Sequence, residues 1–337
     1  MENSIKVWVN GFGRIGRLAA RIMQEEEHIE LVGINGRTKP DSHAHLLKYD
    51  SIYWNWKEEV SNDVENIIIN GKKIKVFQKN APEDIDWWSV WADIIIESSG
   101  KFTSRDTAQW HLKQWPKGVI ISAPGKNVDA TFVKWVNHNE FDPKSHQVVS
   151  NASCTTTCLA TIAKILDETY QIISWIMVTT HAVTWDQNIV DSSHKDLRRA
   201  RAAYSSMVPS STWAAKAIGQ VLPNLKWKLI GSAIRVPTDT VSLVTLTANT
   251  KNKPESLEKL NNLFKQNASK YLEYNDKKLV SVDFKWNPHS AIFDPTMTQL
   301  TPDGMLSISA WYDNEWGYAQ RLVEMARYMG QKINNTL

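Results

Sequence analysis

The sequence predicts an α/β chain in two parts: a parallel sheet with crossover helices over residues 1–153, then an α+β part with a mixed or antiparallel sheet over residues 154–317. Three observations carry this. Short apolar runs alternate with polar or helical stretches through the first 150 residues, a β-then-α order that calls for parallel strands. Beyond residue 150 the β-like runs lengthen. The length, 337 residues, exceeds one typical core and suits two domains of roughly 150 residues each.

Residues 5–9 read as a short buried strand. Residues 14–26 read as a helix, with Ile15, Leu18, Ala19 and Ile22 at the i, i+3, i+4, i+7 spacing. A second strand follows at 31–34. Apolar runs recur at 67–69, 94–96 and 119–121, separated by stretches such as the helical 104–113. In the second part, β-like runs fall at 172–180, 229–236, 241–246 and 305–311, with a polar helix at 255–270. An amphipathic helix at 318–329 can pack back on either part. No internal repeat, low-complexity tract or long linker interrupts the pattern.

Thirty-nine basic and 36 acidic residues leave a net charge of +3, so composition makes no case for nucleic acid or membrane as the main partner. No stretch approaches ~18 uninterrupted apolar residues, and the opening lacks a basic start followed by an apolar run. A soluble cytoplasmic protein is expected. Cys154 and Cys158, four apart, are poor material for a disulfide framework and too few for a thiolate metal site, so reduced thiols and no metal are expected. Small-molecule chemistry is the leading class. One ratio is abnormal, 16 Trp against 14 Gly. Glycine at its usual ~7% would number roughly two dozen.

Asn10, Gly11, Phe12, Gly13, Arg14, Ile15 and Gly16 spell G-x-G-x-x-G between an expected strand and an expected helix. The first glycine permits the tight turn, the second lets backbone approach a pyrophosphate, and the third lets helix and strand pack closely. The helix N-terminus then stabilises phosphate charge. The Rossmann fingerprint next asks for an acid about 20 residues on, to hold the adenosine ribose. Gly36 and Arg37 stand there instead. Glycine leaves room for a 2′-phosphate and arginine can pair with it, favouring NADP or dual use over strict NAD; the bland alternative is that Arg37 lies on a solvated loop.

Cys154 precedes an apolar helical pattern at Leu159, Ile162, Ala163 and Leu166, which places it near a helix N-terminus, where a thiol's pKa falls. Cys158, one turn on, reads as packing. A cysteine nucleophile needs a base. His181, at the end of the 172–180 run, is the best placed of nine histidines, though spacing alone admits any of them.

The run Val9-Asn-Gly-Phe-Gly-Arg-Ile-Gly16 resembles the start of glyceraldehyde-3-phosphate dehydrogenases. Leu46-Leu-Lys-Tyr-Asp-Ser51, Ile121-Ser-Ala-Pro124, Ser150-Asn-Ala-Ser-Cys-Thr-Thr156, His194-Lys-Asp-Leu-Arg-Arg-Ala-Arg201, Arg235-Val-Pro-Thr238 and Trp311-Tyr-Asp-Asn-Glu-Trp-Gly-Tyr318 match that family in order. The resemblance implies a Rossmann domain, a catalytic domain whose sheet packs in a homotetramer, and a C-terminal helix (318–337) returning to the first domain. It implies phosphorylating oxidation of glyceraldehyde 3-phosphate with inorganic phosphate and NAD or NADP. By position, Cys154 is the nucleophile and His181 its base. Thr184, Asp186 and Arg235 match residues around the substrate phosphate; Ser153, Thr155, Arg199, Thr212 and the Trp213 position match those around the attacking phosphate. Asn314 matches the residue holding the nicotinamide amide, and Ser122 lies by the cofactor. Thr157 departs from the family's usual Asn. Ser193, like Gly36, resembles NADP-using members. The rivals are an erythrose-4-phosphate dehydrogenase, which hydrolyses its acyl-enzyme with water, and a catalytically dead binding protein.

In that family frame, Trp8, Trp54, Trp91, Trp110, Trp115, Trp135, Trp175, Trp185, Trp213, Trp227 and Trp286 fall where glycine is common. Reading them as glycine leaves 25 Gly and 5 Trp, ordinary values. A gene from bacteria that read UGA as glycine, rendered with UGA as tryptophan, would produce this pattern.

Overall fold

A computed structural model describes residues 4–113 and 115–336. The chain divides into two compact units, Met1–Ala152 with Ala319–Leu337, and Ser153–Tyr318. Residue 337 of the expected C-terminal helix lies outside the described residues.

The first unit contains β1 (Ile5–Asn10), α1 (Arg14–Met23), β2 (Ile29–Asn35), α2 (Pro40–Lys48), β3 (Val60–Asn62), β4 (Asn66–Ile69), β5 (Lys72–Phe77), β6 (Ile94–Glu97), α3 (Arg105–Ala108), β7 (Gly118–Ile121), β8 (Ala130–Thr131) and β9 (Val148–Ser150). Its sheet runs β3-β4-β5-β2-β1-β6-β7-β9-β8, parallel from β5 to β8 with an antiparallel hairpin at one edge. The central strands are buried on both faces, which is why β6 and β7 read as continuous apolar runs. β1 lies between β2 and β6, so the strand order reverses at its carboxyl end, the crevice where open α/β sheets bind ligands.

The expected helix at 14–26 stops at Met23. The expected helix at 104–113 is one turn, α3, capped by the Ser104 hydroxyl and continued as a 3-10 stretch, Gln109–Lys113. α2 went unread because only Ala44 and Leu47 supply its buried apolar stripe.

The second unit holds α4 (Cys154–Tyr170), β10 (Ile172–His181), β11 (Val208–Ser211), α5 (Ala214–Val221), β12 (Leu229–Arg235), β13 (Ser242–Thr250), α6 (Leu257–Gln266), β14 (Leu272–Tyr274), β15 (Ala291–Leu300) and β16 (Leu306–Tyr312). Its sheet is mixed, in the order β11-β12-β10-β13-β16-β15-β14, with β10 parallel to β12 and antiparallel to β13. α4 is buried from Thr155 to Ala163 without a break, so it carries little amphipathic signal. α7 (Trp316–Asn334) ends the chain; within the first unit its Arg327 pairs with Glu26 at 2.5 Å, and a Cβ on Gly330 would come within 2.3 Å of Ile5.

Candidate active site

In the first unit, the glycine loop joins β1 to α1. Gly11 has φ +93°, and a Cβ there would lie 2.3 Å from the Ser99 backbone nitrogen; one on Gly16 would lie 2.3 Å from the Gly11 carbonyl oxygen. Neither position tolerates a side chain. Gly13 is different, since nothing lies within 4 Å of where its Cβ would be. The open side of Gly13, at the start of α1 where no side chain caps the free N–H groups, fits the close approach of a pyrophosphate. Phe12 is buried, Ile15 half-buried, and Arg14 pairs with Asp50 at 2.5 Å.

A buried network that the sequence did not disclose fixes this loop from behind. The Glu97 carboxylate accepts from Asn10 Nδ2 (2.5 Å), Ser99 N (2.8 Å) and Ser99 Oγ (2.5 Å), and meets His111 Nε2 at 2.9 Å. Asn35 Nδ2 donates to Asn10 Oδ1 at 2.7 Å, tying the ends of β1 and β2 together. Ser122 is held by its backbone N–H on Glu97 O at 2.9 Å. Arg37 is exposed. The room expected beside Gly36 is already taken: the His43 imidazole from α2 fills it.

In the second unit, Cys154 is the first residue of α4. The Ser153 hydroxyl caps the helix by accepting from Thr156 N at 3.1 Å. His181 ends β10, and its Nε2 stands 3.6 Å from Cys154 Sγ. In register on the neighbouring strand, Arg235 ends β12. His181 Nδ1 lies 2.8 Å from Ala182 O and 2.5 Å from Arg235 Nη1, and Nη1 also reaches Ala182 O at 3.2 Å. The carbonyl can only accept and the guanidinium can only donate, so they favour opposite tautomers. With Nδ1–H on Ala182 O, Nε2 carries the lone pair toward the thiol, as a base must.

The electrostatics correct one sequence expectation. A helix N-terminus was expected to lower the Cys154 pKa, but burial outweighs it: the thiol is pushed up, opposed by the nearby Arg235 charge. Burial, with Arg235 second, holds His181 down at about 3. The resting pair is therefore thiol and neutral imidazole, with Nε2 placed to accept the thiol proton. Tyr312, also missed, sits beside them. Its hydroxyl bonds Thr155 Oγ1 and Thr179 Oγ1, both at 2.9 Å, and its ring meets His181 edge-on at 6.0 Å. When Tyr312 donates to Thr155, the Thr155 O–H stays available to an anion.

Asp186 and Arg199, matched by position to two different phosphates, pair directly with each other, and Arg199 Nε also lies 3.5 Å from Asp196. Thr184 N donates to Gln187 Oε1 at 3.2 Å. Thr212 Oγ1 accepts from Ala214 N at 3.2 Å at the start of α5, where the Trp213 indole projects outward, 66% exposed. Ser193 is exposed. Asn314 is buried, its Oδ1 accepting from Ser242 Oγ (2.9 Å), which itself accepts from Ala182 N (3.1 Å).

A pH effect on stability follows. Between about 6.5 and about 3 the unfolded His181 imidazole binds a proton that the folded one does not, so acidification through that window favours unfolding. His181→Asn is expected to flatten this part of the curve, read as denaturant midpoints at about pH 7 and about pH 5. An unchanged slope would show that His181 ionises freely in the fold.

A glycine-loop Rossmann unit, joined in one chain to a mixed-sheet unit that brings cysteine, histidine and arginine together, defines the class of nicotinamide-dinucleotide-dependent oxidoreductases acting on an aldehyde group. Residues 5–105 match the glyceraldehyde 3-phosphate dehydrogenase NAD binding domain, and residues 153–314 match the C-terminal domain of the same enzymes. The chain is 45% identical to glyceraldehyde-3-phosphate dehydrogenase of Geobacillus stearothermophilus over 333 residues, 98% of this chain and 99% of the relative. It is 44% identical to glyceraldehyde-3-phosphate dehydrogenase 2 of Bacillus subtilis (strain 168) over 335 residues, 98% of each. The chain belongs to the glyceraldehyde-3-phosphate dehydrogenase family.

Proposed function

We propose that the chain oxidises D-glyceraldehyde 3-phosphate with inorganic phosphate and NAD or NADP, forming 1,3-bisphosphoglycerate reversibly. The observation that carries this is the 3.6 Å approach of Cys154 Sγ to His181 Nε2 in a chain of this family. Cys154 Sγ bonds to the aldehyde carbon as Nε2 takes the thiol proton, which then protonates the new oxyanion. Nε2 next removes that hydroxyl proton as the carbon gives up its hydride and becomes a thioester. A phosphate oxygen attacks the thioester carbon and Cys154 leaves as thiolate. The dinucleotide, when bound, supplies the two-electron acceptor, and the glycine loop would hold its pyrophosphate. Arg235 and Thr184 hold the substrate phosphate. Ser153, Thr155, Thr212 and Arg199 hold the attacking phosphate, and Asp186 orients Arg199. The test is phosphate-dependent turnover after a burst of reduced dinucleotide. Turnover without phosphate would indicate a relative that hydrolyses its acyl-enzyme, and no burst would indicate a binding protein.

The domain division we adopt is 1–153 and 154–317. Gly36, Arg37 and Ser193 favour NADP or dual use. A homotetramer in the cytoplasm is the expected state. In support of assembly, Ile176 and Ile230, cross-strand neighbours on β10 and β12, are 57% and 72% exposed. Sedimentation giving a monomer would reject it. No helix among the described residues is long and apolar enough to cross a membrane.

We also infer that the eleven family-glycine tryptophans are glycine in the protein that the gene encodes. In support, Trp54, Trp91, Trp135, Trp227 and Trp286 have φ between +53° and +74°, a conformation costly for any residue with a Cβ. Trp8 and Trp175 bury indole N–H groups that lack a hydrogen-bond partner, worth about 1–3 kcal/mol each. UGA codons at the eleven positions, with UGG at Trp311 and Trp316, is the expected nucleotide sequence; UGG throughout rejects recoding. Trp213→Gly, in a background where the other ten are glycine, is expected to raise the single-turnover rate of phosphate attack at least about tenfold. Equal rates would show that residue 213 does not border the attacking phosphate.

A further inference from the structure

We propose that His43 binds the 2′-phosphate of a 2′-phosphorylated adenosine nucleotide, occupying the place that an acidic side chain at residue 36 would otherwise fill. This rests on the preference for NADP inferred from Gly36 and Arg37, and adds to it a residue on a different element. A Cβ on Gly36 would lie 2.2 Å from His43 Nε2 and 2.4 Å from Cε1, so the imidazole, not empty space, faces the end of β2. The ring is buried, set edge-on to Phe12 of the glycine loop at 5.5 Å, and its Nε2 lies 3.2 Å from Thr38 Oγ1. α2 thus turns a polar ring inward where its other buried residues are Pro40, Ala44 and Leu47. The Thr38 hydroxyl satisfies one of its nitrogens in that place.

Charges of both signs act on the ring. Arg17 from α1 acts on it unfavourably for its cation, Asp41 on α2 acts favourably, and Arg37 stands exposed on the loop after β2. Burial and Arg17 keep the imidazole below its usual pKa, so it is neutral before an anion arrives. A neutral imidazole already offers one N–H donor, and a phosphate dianion beside it would favour the second. The His43 N–H, with Arg37 next in sequence to Gly36, offers the donors and charge that a phosphate monoester takes up more fully than a ribose hydroxyl does.

The geometry also couples residues 36 and 43. An aspartate at 36 cannot extend while the imidazole stays in place. Gly36→Asp alone is therefore expected to weaken 2′-phosphate binding without improving binding to an unphosphorylated ribose, while Gly36→Asp with His43→Leu is expected to improve it.

The test is calorimetric titration of the full chain with 2′,5′-ADP and with 5′-AMP. The unsubstituted protein should bind 2′,5′-ADP at least about tenfold more tightly, and His43→Leu should lower that ratio about tenfold while leaving 5′-AMP affinity within about twofold. His43→Gln, which keeps a donor, should fall between. Titration with 2′,5′-ADP should move the His43 imidazole resonances, and 5′-AMP should leave them in place. An unsubstituted ratio at or below about one would overturn the NADP preference and this proposal with it. A high ratio that His43→Leu and His43→Gln both leave unchanged would overturn only the role of His43.

Discussion

Replacing Cys154 with serine is expected to lower turnover by about 10⁴-fold or more while dinucleotide binding and the unfolding midpoint stay within error. The thiol already works against its surroundings, since burial pushes its pKa up despite Arg235. In the proposed mechanism sulfur tolerates this because it is nucleophilic even when only briefly ionised, with His181 Nε2 3.6 Å away to take its proton. A serine hydroxyl starts from a far higher pKa and suffers the same desolvation, so neither Nε2 nor the start of α4 can ionise it usefully. Absorbance of reduced dinucleotide with saturating aldehyde and phosphate measures the loss. Substantial residual turnover would remove Cys154 from the mechanism.

The second large effect concerns stability. Converting Trp54, Trp91, Trp135, Trp227 and Trp286 together to glycine is expected to stabilise the chain by about 2–5 kcal/mol. Each left-handed residue with a Cβ costs ~1–2 kcal/mol, and glycine's greater freedom when unfolded returns about 0.5–1. Trp54 and Trp227 are 71% and 91% exposed, so little packing is lost on removing their rings. Denaturant midpoints of the two proteins decide it. A midpoint that falls would mean the indoles contribute more through contacts than the backbone loses in strain. Trp8 is left out of this set because it is fully buried against Phe77 and Trp87, where a lone glycine would leave a cavity.

The sequence disclosed most where local spacing and local chemistry coincide. G-x-G-x-x-G between an apolar run and a periodic one marks a loop whose steric demands are met within six residues. His181 was findable because it ends a long β-like run. α4 was harder, since a helix buried all round loses its periodicity; only Cys154 and the apolar positions after it gave it away. Tyr312 was not legible as a neighbour of Cys154. Its link to Thr155 spans 157 residues and exists only because β16 and α4 meet in the fold. The sign of the Cys154 shift was likewise out of reach, because a helix terminus is visible in a sequence and the depth of packing around a sulfur is not. His43 escaped because its helix shows too few apolar residues, and Gly36 read alone suggested room that the fold had already filled.

The pairing of β10 with β12 sets unequal tolerance to changes in chain length. His181 and Arg235 meet because the two strands are parallel and in register from Trp175 opposite Leu229 to the ends of both strands. One residue inserted within β12 would advance Arg235 by about 3.3 Å and turn its side chain to the opposite face of the sheet. No rotamer change recovers that. Natural variation in length should therefore be excluded from residues 229–235, so that the spacing from Leu229 to Arg235 does not vary among relatives.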